Sequence, residues 1–180
     1  MAFTKQEYYE TGTNTSTGGY GANVWGGQTF TPANSHTITR VGVFVFKDGS
    51  PSGDGYIDLY DCDQVTHLPT GSRLARATYA TADIVSTDTN NPEWLEKNLD
   101  SGIALTSGTE YALVFSQPSS DVSNRIQFKS DTPTPTYAGG VLLFSSTGFA
   151  NLAVFSDYDY QFREYSGTAD AAFIPRVFII

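Results

Sequence analysis

Aspartates are concentrated in one Gly-rich stretch of the chain, and carboxylates at such density can hold a cation. Five of them, at positions 48, 54, 58, 61 and 63, lie within sixteen residues. Calcium takes about six to eight oxygen ligands, which carboxylates and loop carbonyls supply together. The spacing is not that of an EF-hand, and Asp and Gly are also common in ordinary turns. The sequence therefore leaves a structural calcium ion as one interpretation, with Asp48, Asp54 and Asp61 as its first ligands.

Aromatic rings are the second group of residues that could form a binding site. An exposed Tyr or Trp ring can stack on the apolar face of a pyranose, while neighbouring polar side chains bind the sugar hydroxyls. The candidates for such a glycan site are Trp25, Tyr56, Tyr60, Trp94, Tyr158 and Tyr160. Tyrosines also cover the outer faces of sheets and subunit interfaces, and the sequence alone favours that simpler interpretation.

Residues of the types needed for catalysis do not form a known motif. The chain has no nucleophile elbow, phosphate-binding loop or zinc-ligand spacing. Its two histidines, His36 and His67, are predicted to be ordinary surface loop residues. The single cysteine, Cys62, can form no intrachain disulfide and is predicted to be a small, partly buried apolar residue.

Two pairs of acids on predicted strands have the residue types of glycosidase carboxylates, which face a sugar from two sides. They are Asp58 with Glu96 and Asp157 with Asp159. Such enzymes place the pair in a deep cleft built by large insertions, for which a chain of 180 residues has little room. We therefore predict that the protein is not an enzyme, and we expect no cofactor besides the calcium ion considered above.

The overall charge narrows the choice of partners. Ten Lys and Arg against nineteen Asp and Glu give a formal charge of −9. Because this charge repels phosphate backbones and anionic lipids, neither nucleic acid nor a membrane surface is expected as a partner. The first residues lack the basic and apolar regions of a signal peptide, and no apolar run approaches a membrane span in length. We expect a protein that is made in a cytoplasm and leaves it, if at all, by lysis or within a particle.

Short alternating segments, separated by Gly and Pro, predict the fold. The clearest is residues 37–46, where alternation becomes a continuous β-branched and aromatic run, as in a strand covered on both sides. About nine or ten such segments without amphipathic helices between them indicate antiparallel sheets. We predict an all-β, antiparallel two-sheet jelly-roll sandwich over residues 25–165. An extended N-terminal arm, residues 1–24, would precede it, with at most a helical turn near Thr4–Tyr9.

The end of the chain, residues 166–180, has a different character: a short polar linker and then an apolar C-terminal tail. Pro175 removes a ladder hydrogen bond, so the tail is predicted to be an edge strand or an extended arm. It is either the last strand of its own domain or a strand that pairs with a neighbouring chain, because an exposed segment of this kind would aggregate. In the second case the assembly residues are Phe173, Ile174, Val177, Phe178, Ile179 and Ile180.

Turn-plus-strand segments carry a resemblance to a known type of module. They are, in chain order, residues 28–32, 38–41, 49–53, 57–60, 68–71, 105–115 and 137–140. Together they resemble a jelly-roll β-sandwich module of phage virion proteins and bacterial surface proteins, similar to carbohydrate-binding modules. The resemblance implies a surface-exposed, non-catalytic module. The N-terminal arm and the apolar tail lie outside it and look like additions for assembly.

Two functions follow as hypotheses. The first is a non-enzymatic structural protein of a phage virion, such as a decoration, head or tail surface protein, assembled in the host cytoplasm. It would self-associate through its terminal arms into a homo-oligomer or bind other virion proteins. The alternative is a lectin-like, carbohydrate-binding adhesion module that acts as a monomer through exposed aromatic residues. The lack of a signal peptide favours the first, since a secreted lectin normally carries one.

Overall fold

A computed structural model describes residues 2–12, 15–17 and 23–167, and these ranges are almost entirely β-structure. The strands are β1 (Thr4–Tyr9), β2 (Thr15–Thr17), β3 (Trp25–Phe30), β4 (His36–Asp48), β5 (Asp54–Cys62), β6 (Pro69–Ala80), β7 (Glu93–Leu105), β8 (Tyr111–Ser116), β9 (Arg125–Asp131), β10 (Leu142–Ser145), β11 (Ala153–Phe155), β12 (Asp159–Tyr160) and β13 (Phe162–Ser166). Two 3₁₀-helices, Thr81–Asp83 and Phe149–Asn151, interrupt them. Among the described residues, no helix has the length and apolar character needed to cross a membrane.

All pairings between these strands are antiparallel, and the strands form two sheets packed face to face. The predicted all-β, antiparallel two-sheet sandwich is therefore confirmed. The seven-stranded sheet has the order β1-β13-β4-β9-β12, with β7 also paired to β4 and β2 to β9. The six-stranded sheet has the order β11-β10-β3-β8-β5-β6.

Strand β4 organises the seven-stranded sheet because it is paired along both edges. One edge pairs with β7 from His36 to Val45. The other edge pairs first with β13, as far as Val43, and then with β9 from Val45 onward. A strand with neighbours on both edges and a sheet above it needs apolar, β-branched residues, and this explains the continuous run in the sequence.

The core between the sheets is joined by aromatic contacts. Phe115 of β8, in the six-stranded sheet, lies parallel to Phe128 of β9, in the seven-stranded sheet, with ring centroids 4.9 Å apart. The ring of Tyr160 meets Phe115 edge to face at 5.6 Å. All three side chains are essentially inaccessible to solvent. This stack, like the aliphatic residues around it, is expected to contribute several kcal/mol to stability.

The predicted loop or helical turn at Thr4–Tyr9 is wrong, because these residues form strand β1 at the edge of the seven-stranded sheet. The segment is polar and only Tyr9 is buried, so its apolar pattern is too weak to predict a strand. It is held by pairing with β13 and by polar contacts, such as the Glu7 N–H donating to Glu164 at 2.9 Å.

Strand β6 begins at Pro69, inside the turn-plus-strand segment 68–71. Strand β7 extends as far as Leu105, and β12 and β13 are separated at Gln161. The tail, with its candidate assembly residues Phe173, Ile174, Val177, Phe178, Ile179 and Ile180, lies outside the described residues.

The inter-sheet stack gives a first prediction. Replacing Phe115 with Ala should lower the free energy of unfolding by about 3 to 5 kcal/mol, because the cavity removes contacts with both sheets. Phe155→Ala is the matched control, since Phe155 is 40% exposed at an edge strand, and it should cost less than about 1 kcal/mol. Urea titration of the three proteins measures both values. Equal losses for the two variants would contradict the assignment of Phe115 to the core.

Candidate functional site

The outer face of the six-stranded sheet carries three of the predicted glycan residues. Directly paired residues point to the same face, and Tyr56 pairs with Ser116, which pairs with Trp25. Tyr60 follows four residues after Tyr56 on β5 and therefore shares its face. Their neighbour Ile57 points the other way, into the core. We call the surface formed by Trp25, Tyr56, Tyr60, Ser116 and Phe149 the outer aromatic face.

Phe149, in the second 3₁₀-helix, closes this face on one side. Its ring centroid lies 5.6 Å from that of Trp25 and 5.1 Å from that of Tyr60. The three rings pack on a second, smaller apolar cluster that includes Val114 and Leu143, on the side of the sheet away from the main core. All three rings are half-buried, so each keeps part of its surface in contact with solvent. The result is a rigid row of rings rather than a set of mobile side chains.

An ion pair fixes the other end of the face. Arg76 donates two hydrogen bonds to Asp58, from Nε at 2.6 Å and from Nη2 at 2.7 Å. The Asp58 side chain is only 1% exposed. The guanidinium carbon of Arg76 also lies 3.9 Å from the centre of the Tyr56 ring. A bidentate pair that stacks on a ring holds that ring in one orientation.

A buried hydroxyl lies between the two aromatic ends. Ser116 is flanked across the sheet by Tyr56 and Trp25, so these two residues stand about 10 Å apart at the backbone, or two strand spacings. The Ser116 hydroxyl is buried and has no hydrogen-bond partner among the described residues. The Ser116 oxygen has almost no accessible surface, so it is a polar group buried beneath the two rings rather than a group that a ligand can reach.

These groups define what the face can bind. Half-exposed rings stack on flat apolar surfaces, and hydroxyl and guanidinium groups supply hydrogen bonds at their edges. Burial and the charge of Asp58 raise the pKa of Tyr60, so its phenol stays neutral and can donate a hydrogen bond. The face presents no nucleophile paired with a base. Its groups are of the types that stack on apolar surfaces and form hydrogen bonds with neutral polar groups.

The other three predicted glycan residues do not join this face. Trp94 lies on β7 of the opposite sheet, stacked on Phe44 at 4.9 Å with the Arg163 guanidinium 3.6 Å from its ring centre. Tyr158 contacts the ring of Phe155 near the end of β11. Tyr160 is completely buried, so a glycan-binding role for it is excluded by its position in the core.

The aspartates predicted to hold calcium are not brought together. Asp54 and Asp61 lie near opposite ends of β5, and seven residues of extended strand separate them by about 23 Å. They cannot ligate one ion. Asp48 instead accepts a hydrogen bond from Arg125 at 3.1 Å. Among the described residues, no group of three or more His, Cys, Asp or Glu side chains is arranged to hold a metal ion.

Both histidines are bound to glutamates, which the sequence did not predict. His36 Nε2 lies 2.9 Å from the carboxylate of Glu164, and the His36 side chain is only 9% exposed. The prediction of a surface loop residue is therefore wrong for His36. His67 Nδ1 lies 2.7 Å from Glu110, and its side chain is 43% exposed. Burial raises the pKa of Glu164 above its ordinary value.

The remaining candidates for a catalytic role, two carboxylate pairs and one cysteine, are either far apart or buried. Asp58 belongs to the six-stranded sheet and Glu96 to the seven-stranded sheet, and each is bound to arginine. Asp159 is buried while Asp157 is exposed, so they do not face one space. Burial raises the pKa of the Cys62 thiol to about 12, which leaves almost no thiolate at neutral pH.

Sequence reasoning missed Phe149, Ser116 and Arg76. Phe149 begins the short 3₁₀-helix after Gly148, where no strand periodicity marks the direction of its side chain. Ser116 and Arg76 could have been placed on the outer face only from strand register, which alternation alone does not give. Their positions depend on which strands are neighbours in the sheet.

The Asp58–Arg76 pair gives a second prediction. Arg76→Ala should lower the free energy of unfolding by about 3 kcal/mol, because it leaves a buried carboxylate without its partner. Arg125→Ala is the matched control: its partner Asp48 has a side chain that is 45% exposed, and the loss should be under about 1 kcal/mol. Chemical denaturation at pH 7 checks both. A loss for Arg76→Ala no larger than for Arg125→Ala would contradict the structural role of the pair.

Comparisons of the whole chain with known proteins give no further assignment. No family model matches the chain, and no curated protein matches it. The functional argument therefore depends on the geometry described above.

Proposed function

We propose that this protein is a non-enzymatic carbohydrate-binding module whose binding surface is the outer aromatic face. One observation carries the proposal: Trp25, Tyr56 and Tyr60 share one face of one sheet, held by Phe149 and by the Asp58–Arg76 pair. Rings that are preorganised in this way bind without losing side-chain entropy.

The dimensions and chemistry of the face support a saccharide. The backbones of Trp25 and Tyr56 lie about 10 Å apart, so their partly exposed rings can contact neighbouring parts of one saccharide. About 13 Å separates Tyr56 from Tyr60 along β5, which suits a chain of more than one sugar. The net charge of −9 makes a neutral glycan a better ligand than an anionic one.

Binding by the outer aromatic face gives a third prediction. The chain should bind at least one member of a panel containing cellohexaose, chitohexaose, maltohexaose and an immobilised glycan array. Trp25→Ala and Tyr56→Ala should each weaken that binding by about tenfold or more, because each removes a buried stacking contact. Isothermal titration calorimetry on the best ligand measures the affinities.

The matched control is Tyr8→Ala, which removes a 48% exposed tyrosine from the opposite sheet. It should leave the affinity unchanged. The proposal fails if no saccharide in the panel binds, or if Tyr8→Ala weakens binding as much as Tyr56→Ala does. Circular dichroism of each variant separates loss of binding from loss of fold.

A second candidate is a virion structural protein that assembles through its tail, as the resemblance suggests. The observation that favours it is where the described chain ends. Gly167 follows the last strand, accepts a hydrogen bond from the Thr39 hydroxyl and lies against Ala2, beside edge strand β1. The described chain therefore ends close to the edge strand β1, and an apolar segment beside a sheet edge can pair with a neighbouring chain. A phage particle is the proposed setting.

Assembly through the tail gives a fourth prediction. The full chain should form a discrete homo-oligomer, and a chain ending at Gly167 should be a folded monomer, because only the tail adds apolar pairing surface. Light scattering after size exclusion measures both masses. Phe178→Asp in the full chain should also give a monomer while leaving the described residues intact. If all three proteins are monomers, the assembly hypothesis is wrong.

A further inference from the structure

A small pocket lies beside the outer aromatic face. Its volume is about 120 Å³, and its walls are formed by Leu68, Pro69, Phe149, Ala150 and Leu152. We call it the Phe149 pocket. Leu152 is buried, Ala150 is exposed, and the other three residues are half-buried. The pocket is therefore a recess in the surface, with an apolar interior and a rim in contact with solvent.

Strand register places this pocket on the same side of the six-stranded sheet as the rings. Cys62 follows Tyr60 by two positions on β5 and therefore shares its face. Pro69, a wall residue, is the direct cross-strand partner of Cys62, and such partners point to one face. Leu68 and Leu152 belong to the same outer apolar cluster as Tyr60. The pocket and the outer aromatic face are thus parts of one surface.

Phe149 joins the two parts of this surface. Its ring forms a wall of the pocket and lies 5.1 Å from the ring of Tyr60 and 5.6 Å from that of Trp25, between centroids. The pair Cys62–Pro69 lies about 7 Å beyond Tyr60 along β5, which is two residues of extended strand. A saccharide stacked on Tyr60 therefore has the pocket within reach of a substituent on its ring.

The size and the walls of the pocket restrict that substituent. A water molecule occupies about 30 Å³ in the liquid, so a volume of about 120 Å³ holds about four non-hydrogen atoms. An acetamido group has that many, whereas a whole sugar ring has more. None of the five wall residues carries a charge. An amine, carboxylate or sulfate would lose its hydration there without an ionic partner, so a neutral group that ends in a methyl fits best.

We propose that the Phe149 pocket is a subsite for an acetamido group, and that the ligands of this chain are glycans of N-acetylated sugars. The sugar stacks on Tyr60 and places its acetyl methyl against Leu68 and Leu152. This assignment depends on the proposed carbohydrate-binding function and adds the class of saccharide to it. The net charge of −9 agrees with a neutral N-acetylated glycan rather than an acidic one.

Two matched ligands give the fifth prediction. Chitohexaose and cellohexaose have the same backbone and linkage, and differ in carrying an acetamido group or a hydroxyl on each ring. The full chain should bind chitohexaose about tenfold more tightly, because the pocket removes the acetyl group from water and packs its methyl between apolar side chains. Leu68→Ala removes one wall and should lower this ratio of affinities to about threefold or less. Isothermal titration calorimetry measures both affinities.

The matched control is Val65→Ala in the same turn between β5 and β6. Val65 is 85% exposed and does not line the pocket, so the variant should keep the full ratio. Ala150→Leu adds volume at an exposed wall position and should also lower the ratio, because it narrows the pocket. It provides the test if circular dichroism shows that Leu68→Ala does not fold.

The outcomes separate the subsite from the function on which it depends. If no glycan binds, the carbohydrate-binding function fails and the subsite fails with it. If cellohexaose binds as tightly as chitohexaose, the function stands and the acetamido subsite is wrong. A preference on the glycan array for sugars without an N-acetyl group, including methyl-bearing 6-deoxy sugars, leads to the same conclusion. A ratio that persists in both Leu68→Ala and Ala150→Leu also overturns the assignment, because the selectivity then arises elsewhere.

Discussion

The pairing of β4 along both edges is the constraint on which the rest of the structure depends. This strand brings β7, β9 and β13, which are distant in sequence, into one sheet. Its inward residues, among them Val41 and Val43, belong to the main core and pack against the six-stranded sheet. Because β13 is held by β4, the N-terminal strand β1 has an edge to join, and the described chain ends beside that strand. The first and last strands of the described chain therefore depend on one central strand.

The two outer faces of the sandwich differ in how their polar groups are hydrogen-bonded. On the seven-stranded sheet, Glu96 accepts hydrogen bonds from Arg40, Arg163 and Tyr165, so charge and hydroxyl groups satisfy one another. On the six-stranded sheet the outer aromatic face leaves the Ser116 hydroxyl without a partner. A face whose polar groups are mutually satisfied gains little from a ligand, whereas a face of partly exposed rings gains stacking. This contrast is the physical reason why the proposed binding surface lies on the six-stranded sheet.

The sequence predicted the fold class well and the site in part. Alternation identified β4 and β5 because their inward residues are β-branched or aliphatic. Alternation did not predict β1, because this strand is held in the sheet mainly by hydrogen bonds and buries only one apolar residue. Trp25, Tyr56 and Tyr60 lie together on the outer aromatic face, and their role as glycan residues stays a prediction. Tyr160 belongs to the core with Phe162, because alternation alone does not say which face of a strand turns inward. Asp54 and Asp61 were grouped because they are close in sequence. They lie far apart in space because both belong to one extended strand.

Two buried acids of this chain, Asp58 and Asp159, have different kinds of hydrogen-bond partner. Asp58 has Arg76, whose two hydrogen bonds to the carboxylate also hold the guanidinium against the Tyr56 ring. Asp159 has only the neutral donors Gln28 and Tyr137, so its ionised form is unfavourable when it is covered. The chain therefore compensates one buried acid with a buried ion pair on the six-stranded sheet, and leaves the other without a cation among the described ion pairs.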